Sequence, residues 1–194
     1  MTALTLTLRP TLELTDDQFY DLCQHNRDLR IERTAEGELL LMAPVGGEGG
    51  SRSGRVNQQV FNWIDTDDRG VAFDSSTGFK LPNGAGRSPD AAWVKRERWD
   101  ALTPEQKRKF PPLCPDFVIE LRSETDSLQT LQAKMQEYID NGTQLGWLID
   151  PKHQRVEIYR PGQAVEVLQN PETLSGENVL PGFVLDLKPI FGSP

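Results

Sequence analysis

Cysteine and histidine are both scarce in this chain. Among 194 residues there are two cysteines, Cys23 and Cys114, and two histidines, His25 and His153. With no CxxC pair, neither a disulfide framework nor a structural zinc site is expected, and both thiols read as reduced and buried. Cys23-Gln24-His25 is not a zinc spacing, and His153 lies in a turn and reads as solvated. Long apolar runs are also missing: none approaches the ~20 residues that cross a bilayer. The N-terminal MTALTLTLRP lacks a basic segment followed by an apolar core, so no signal peptide is expected and the protein reads as cytoplasmic, with no membrane partner. There is no GxSxG elbow, no P-loop and no GxGxxG before a helix. Ser123 follows a strand, but no histidine is placed to activate it. An excess of basic residues is lacking too. The formal net charge is −8, against the usual footprint of a nucleic-acid binder, although a bound divalent cation offsets part of it and a local basic groove remains compatible.

The length suits one domain over residues 1–194, and 37% hydrophobic with 26% charged residues is ordinary for a globular chain. The strongest apolar run is LCPDFVIELR, residues 113–122. Phe117, Val118, Ile119 and Leu121 read as a strand buried on both faces, yet Glu120 stands among them. Carboxylates are seldom buried without a partner or a metal, so Glu120 needs one.

In chain order, residues 1–12 alternate (Leu4, Leu6, Leu8) and read as an extended arm. Thr15-Asp16-Asp17 caps a helix. LRIERT and ELLLMA form an N-terminal hairpin around Ala35-Glu36-Gly37. After the glycine-rich GGEGGSRSG a helix is expected from about Ser51 to Thr66, with Val56, Val60 and Ile64 on its core face. VAF and GFK are short strands, LPNGAGRSP a turn-rich loop, and DAAWV a strand opening at Asp90. RERWDALTPEQKRKF reads as a short surface helix. Beyond the central strand, a helix from about Ser127 to Asn141 closes at Gly142. LGWLI and RVEIYR make a C-terminal hairpin, and AVEVL and FVLDL add short strands. The order predicts an α/β domain with one mixed central β-sheet flanked by helices.

Alternation along DFVIELR puts Val118, Glu120 and Arg122 on one face. Asp90, directly after Pro89, opens another strand. Two acids on neighbouring strands repel unless one holds a proton or a cation joins them, and a hard divalent ion with oxygen ligands is the simplest resolution. On the following helix, turning 100° per residue from Leu131, Lys134 falls at about 300°, at the edge of the core arc rather than on the solvated side. Its ammonium either reaches the acids or snorkels past the core edge to water. Glu48 either stabilises the N-terminus of the first long helix or delivers a third acid to the pair. Arg122 either pairs with Glu120 or stands near the site.

Pro89-Asp90, thirty residues to Glu120, then Leu121-Arg122 resembles the PD-(D/E)xK signature of the restriction-endonuclease-like superfamily, with arginine where lysine is usual. GELLLMAPVGGEGG, GFKLPNGAGRSPDAAWV and CPDFVIELRSETDSLQTLQAKMQEYIDNGTQLGWLID together are similar to the Uma-type family of putative endonucleases, over roughly residues 12–190. The resemblance implies a restriction-endonuclease-like core and a Mg²⁺ (or Mn²⁺) site. It implies Asp90 and Glu120 as metal-ligating acids, Glu48 as the first acid, and Lys134 as the catalytic lysine replacing the one absent at Arg122. Arg52, Arg55, Lys80 and Arg87 are candidates to receive DNA phosphates, and equally read as solvated arginines and lysines. Trp63, Trp93, Trp99 and Trp147 offer apolar surface for a homodimer. The alternative to a metal-dependent nuclease is an inactive α/β binding module, its acids held by Lys134 and Arg122 in an internal salt-bridge network.

Overall fold

The computed structural model describes residues 4–192. Six strands form a mixed sheet in the order β11(Glu166–Gln169)-β10(Arg155–Tyr159)-β9(Leu145–Asp150)-β8(Phe117–Leu121)-β7(Ala91–Lys95)-β4(Gly70–Asp74). All its pairs are antiparallel except β8 and β9. Two parallel neighbours cannot be joined by a tight turn, and α5(Leu128–Asp140) makes the crossover. Ser127 caps its start by accepting from the Thr130 amide. Gly142, with φ of +114°, supplies the left-handed turn that ends it.

The central strand carries an unbroken apolar run because both its faces are covered. Phe117 and Ile119 pack with Val56 and Val60 of α2(Gly47–Ile64), with Trp93 and Trp147, and with the C-terminal Phe183 and Leu185. Val118 packs the other way, with Met135 and Tyr138 of α5. Each such side chain stabilises the fold by roughly 1.5–3 kcal/mol.

A single mixed sheet was the expectation, and the protein divides its strands further. A second sheet, antiparallel throughout, runs β1(Leu4–Leu6)-β3(Leu39–Met42)-β2(Arg30–Arg33)-β6(Gly86–Arg87)-β5(Phe79–Lys80), and β12(Thr173–Ser175) pairs with β13(Val184–Asp186) in a ribbon. Within the arm expected over residues 1–12, Leu4–Leu6 form a strand on the edge of the hairpin, and residues 1–3 lie outside the described residues. The hairpin joins β6, which lies in the segment expected to be loop. Five residues after β6 opens, the same chain enters β7 of the large sheet.

Helix α2 starts at Gly47, about four residues earlier than the sequence suggests. Gly46 is extended, Glu48 lies in the positive first turn, and Glu48 and Arg52 pair at 3.1 Å across i, i+4. These outweigh the poor helix propensity of glycine. The charged stretch after β7 breaks into α3(Arg96–Asp100) and α4(Pro104–Arg108), the second opened by a capping box at Thr103. Helices α1(Asp16–His25) and α6(Lys188–Phe191) complete the elements.

The tryptophans do not supply the apolar surface expected of them. Trp93 and Trp147 are buried, and Trp147 stacks on Phe183 with centroids 6.0 Å apart. Trp63 and Trp99 are half-buried against Trp93 and Phe73. Among the described residues no helix is long and apolar enough to cross a membrane.

Candidate functional site

The strand register builds the acid pair. In the antiparallel β7–β8 ladder Ala91 faces Ile119, so one residue further Asp90 lies opposite Glu120. Both then point to the α5 face of the sheet. Asp90 Oδ2 accepts the backbone amide of Leu121 at 2.8 Å, and the Asp90 carbonyl accepts from Asn57 of α2 at 3.0 Å. Pro89 cannot donate to the ladder, and the chain leaves the small sheet there.

Helix α5 lays three polar side chains over this edge at i, i+3 and i+4. Lys134 Nζ lies 2.8 Å from Glu120 Oε1 and 2.8 Å from Glu32 Oε1. Tyr138 donates its hydroxyl to Glu120 at 3.0 Å. Glu137 accepts from Arg87 Nε at 2.6 Å. From the small sheet, Glu32 accepts the Ser88 amide at 3.0 Å and Arg87 Nη1 at 3.2 Å. Arg30, two residues before Glu32 and on the same face of β2, reaches Asp90 Oδ1 at 3.3 Å and bonds the Ser88 carbonyl. The site is therefore the seam between the two sheets, roofed by α5.

The floor of the seam is dry and its rim is wet. The side chains of Glu32 and Glu120 are 2% and 4% exposed, that of Lys134 11%, Asp90 16% and Arg30 32%. Burial raises the Glu120 carboxyl to about 7 against the pull of Lys134, with the Asp90 and Glu32 charges adding to the rise. Burial pushes Glu32 the same way, but Lys134 and Arg87 outweigh it and bring its pKa to about 2. Burial opposes the charges on Lys134 and Arg30, yet the surrounding carboxylates raise both pKa values, so both stay protonated. Four carboxylates (Glu32, Asp90, Glu120, Glu137) face three cations (Arg30, Arg87, Lys134).

The structure brings Asp90, Glu120 and Lys134 together and leaves five candidates apart, among them Arg55, which bonds Gln58. Glu48 and Arg52 pair with each other on the first turns of α2, and among the described residues no hydrogen bond or ion pair joins either to Asp90, Glu120 or Lys134. Arg122 lies beyond the end of β8 and binds Asp150 at 2.6 Å, so it neither pairs with Glu120 nor enters the site. Lys80 pairs with Asp16. Arg87, a candidate for phosphate, is occupied on both sides by Glu32 and Glu137. Sequence reasoning passed over Glu32, Arg30, Glu137 and the hydroxyl of Tyr138. Arg30 and Glu32 flank the apolar Ile31 in an alternating strand, which marks them as face-sharing; nothing local says that this face looks inward. A tyrosine on the core face of a helix does signal a buried hydroxyl in need of an acceptor.

Among the described residues no three His, Cys, Asp or Glu side chains are gathered so as to enclose an ion by themselves. The all-oxygen pair Asp90 and Glu120 nonetheless suits an ion of the magnesium type, which is commonly held by one or two carboxylates plus water and substrate phosphate.

The arrangement is thus a mixed sheet flanked by helices, with two acids at a strand edge beneath a helix lysine. The chain belongs to the Uma2 family, described as "Putative restriction endonuclease", whose sequence profile matches residues 16–188. Its fold is similar to the crystal structure of a putative nuclease of DUF820 from Anabaena variabilis, with a TM-score of 0.73 and 22% identity over 92% of this chain and 97% of that one. No curated protein matches the chain.

Proposed function

We propose that this chain is a metal-dependent endonuclease that hydrolyses phosphodiester bonds of DNA. The observation that carries the reading is one buried ammonium, Lys134, shared at 2.8 Å by Glu120 and Glu32, with Asp90 across the strand from Glu120. Two buried acids sharing one ammonium, one carboxyl raised by burial and the other lowered by Lys134 and Arg87, are costly to build and are typical of sites that do chemistry. Asp90 and Glu120 would hold Mg²⁺ or Mn²⁺, and Glu32 would anchor Lys134 beside them. When bound, such an ion lowers the pKa of its water and stabilises charge on the scissile phosphate. The Leu121 amide fixes the Asp90 carboxylate, and the Tyr138 hydroxyl fixes that of Glu120. Lys134 orients the attacking water or neutralises the charge that builds on the phosphate.

The test is plasmid nicking in Mg²⁺ or Mn²⁺ beside calorimetric Mn²⁺ binding. Wild type binds and nicks. Asp90→Ala does neither. Lys134→Ala binds but nicks roughly 10²-fold or more slowly. Absence of both nicking and Mn²⁺ binding in wild type overturns the proposal. It would leave the second reading, an inactive binding module, which is favoured by the fact that each of these carboxylates already has a partner within the chain.

A further inference from the structure

We infer that Arg30 is a positioning residue of this site: its guanidinium covers the second oxygen of Asp90 until a cation and a phosphate arrive together, and then transfers to the phosphate. The inference rests on the nuclease reading above and names the residue that would receive the substrate.

Asp90 has two oxygens. One is fixed by the Leu121 amide at 2.8 Å. The other, Oδ1, faces Arg30 Nη1 at 3.3 Å, longer than the ~2.7–2.9 Å of a firm charge-assisted bond. Arg30 Nη2 binds the Ser88 carbonyl, and Arg30 Nε is buried with no partner among the described residues. Arginine carries five donors in a planar fork, and this fork is only partly used. Arg87 differs in each respect. It is nearly sealed from solvent, and its Nη1 binds the buried Glu32 and its Nε the half-buried Glu137, as a structural arginine does. Arg30 is the most exposed cation of the seam and stands beside Asp90.

Electrostatics then dictates an exchange. A divalent ion held by Asp90 would repel a guanidinium on the same carboxylate, which would loosen the Arg30 contact. A displaced Arg30 has lost its carboxylate while remaining next to the site, and the ligand its fork matches is a phosphate. Without phosphate, Arg30 returns to Asp90 and opposes metal binding. Metal and phosphodiester therefore bind in concert, which suits a seam whose charges almost cancel when empty of both.

Four proteins test this: wild type, Arg30→Met, Arg30→Lys and Asp90→Ala, each with its melting curve. Mn²⁺ alone is titrated by calorimetry, and a short DNA duplex is titrated by fluorescence anisotropy in Ca²⁺. Arg30→Met is expected to bind Mn²⁺ at least about tenfold tighter than wild type, since a unit charge beside the ion is gone, and to bind the duplex about tenfold more weakly. Arg30→Lys keeps the charge but not the fork, so its Mn²⁺ affinity stays near wild type while its duplex affinity falls. Arg30→Met that melts like wild type yet binds Mn²⁺ no tighter overturns the inference and makes Arg30 a simple brace for Asp90. If Arg30→Met does not fold, wild-type duplex affinity in Arg30→Lys overturns it. Asp90-dependent Mn²⁺ binding in wild type keeps the nuclease reading standing in either case; its absence removes both.

Discussion

Glu32 is the residue on which the seam most depends. It receives Lys134, Arg87 and the Ser88 amide with almost no exposure to water. Removing one partner from a buried ionic cluster strands the others, so Glu32→Ala should cost about 3–5 kcal/mol of stability by urea unfolding. The sign of its pH dependence is fixed. Its folded pKa lies near 2, below the ordinary 4.5, so the fold prefers the ionised form. The stability it contributes is fully present above about pH 4.5 and is lost as pH falls toward 2. Glu120 runs the other way: with a folded pKa near 7, it favours the fold below about pH 4.5 and loses that contribution as pH rises through 7. Unfolding curves from pH 3 to 5 should therefore rise steeply for wild type and less for Glu32→Gln. Between pH 5 and 7 the downward trend should flatten in Glu120→Gln.

Among the elements, β4 and β9 each carry a glycine beneath a large neighbour, and the two should respond differently. A Cβ on Gly70 would lie 2.2 Å from the Trp93 indole, a rigid ring within the core. A Cβ on Gly146 would meet the tip of Met135 at 2.6 Å, and that flexible end can turn aside. Gly70→Ala should lose about 1–3 kcal/mol and Gly146→Ala distinctly less, measured by thermal unfolding. Elements were also the scale at which the sequence was most readable. The β8 apolar run, the Ser127 cap and the glycine after Asn141 are local signals, and they placed the β8–α5–β9 unit to within a residue or so. Asp90, Glu120 and Lys134 were legible because each lies on or beside such an element. Glu32 was not, because it meets Lys134 across 102 residues. Its inward direction depends on how the hairpin sheet leans against the large sheet, which no periodicity encodes. The same blindness misplaced Arg122. Strand alternation was extended one residue past the strand, and Asp150 claims the guanidinium instead.

The whole molecule carries a charge of −8, and much of its positive charge is committed internally. Arg33, Arg69, Arg98, Arg122, Arg155 and Arg160 are all in ion pairs within the chain. With that charge already paired, duplex binding by wild type in a chelator at about 0.15 M salt should be too weak for fluorescence anisotropy to detect, with a shallow salt dependence. Ca²⁺ should restore it. The Lys134 ammonium has one more consequence, because the acids it holds belong to different sheets. It is a rivet between them. A ligand that draws this amine toward itself slackens the grip on the hairpin, so under the proposed mechanism one charge would serve both closure and catalysis. Loss of activity in any Lys134 variant then has to be weighed against how firmly the hairpin still clasps the rest of the protein.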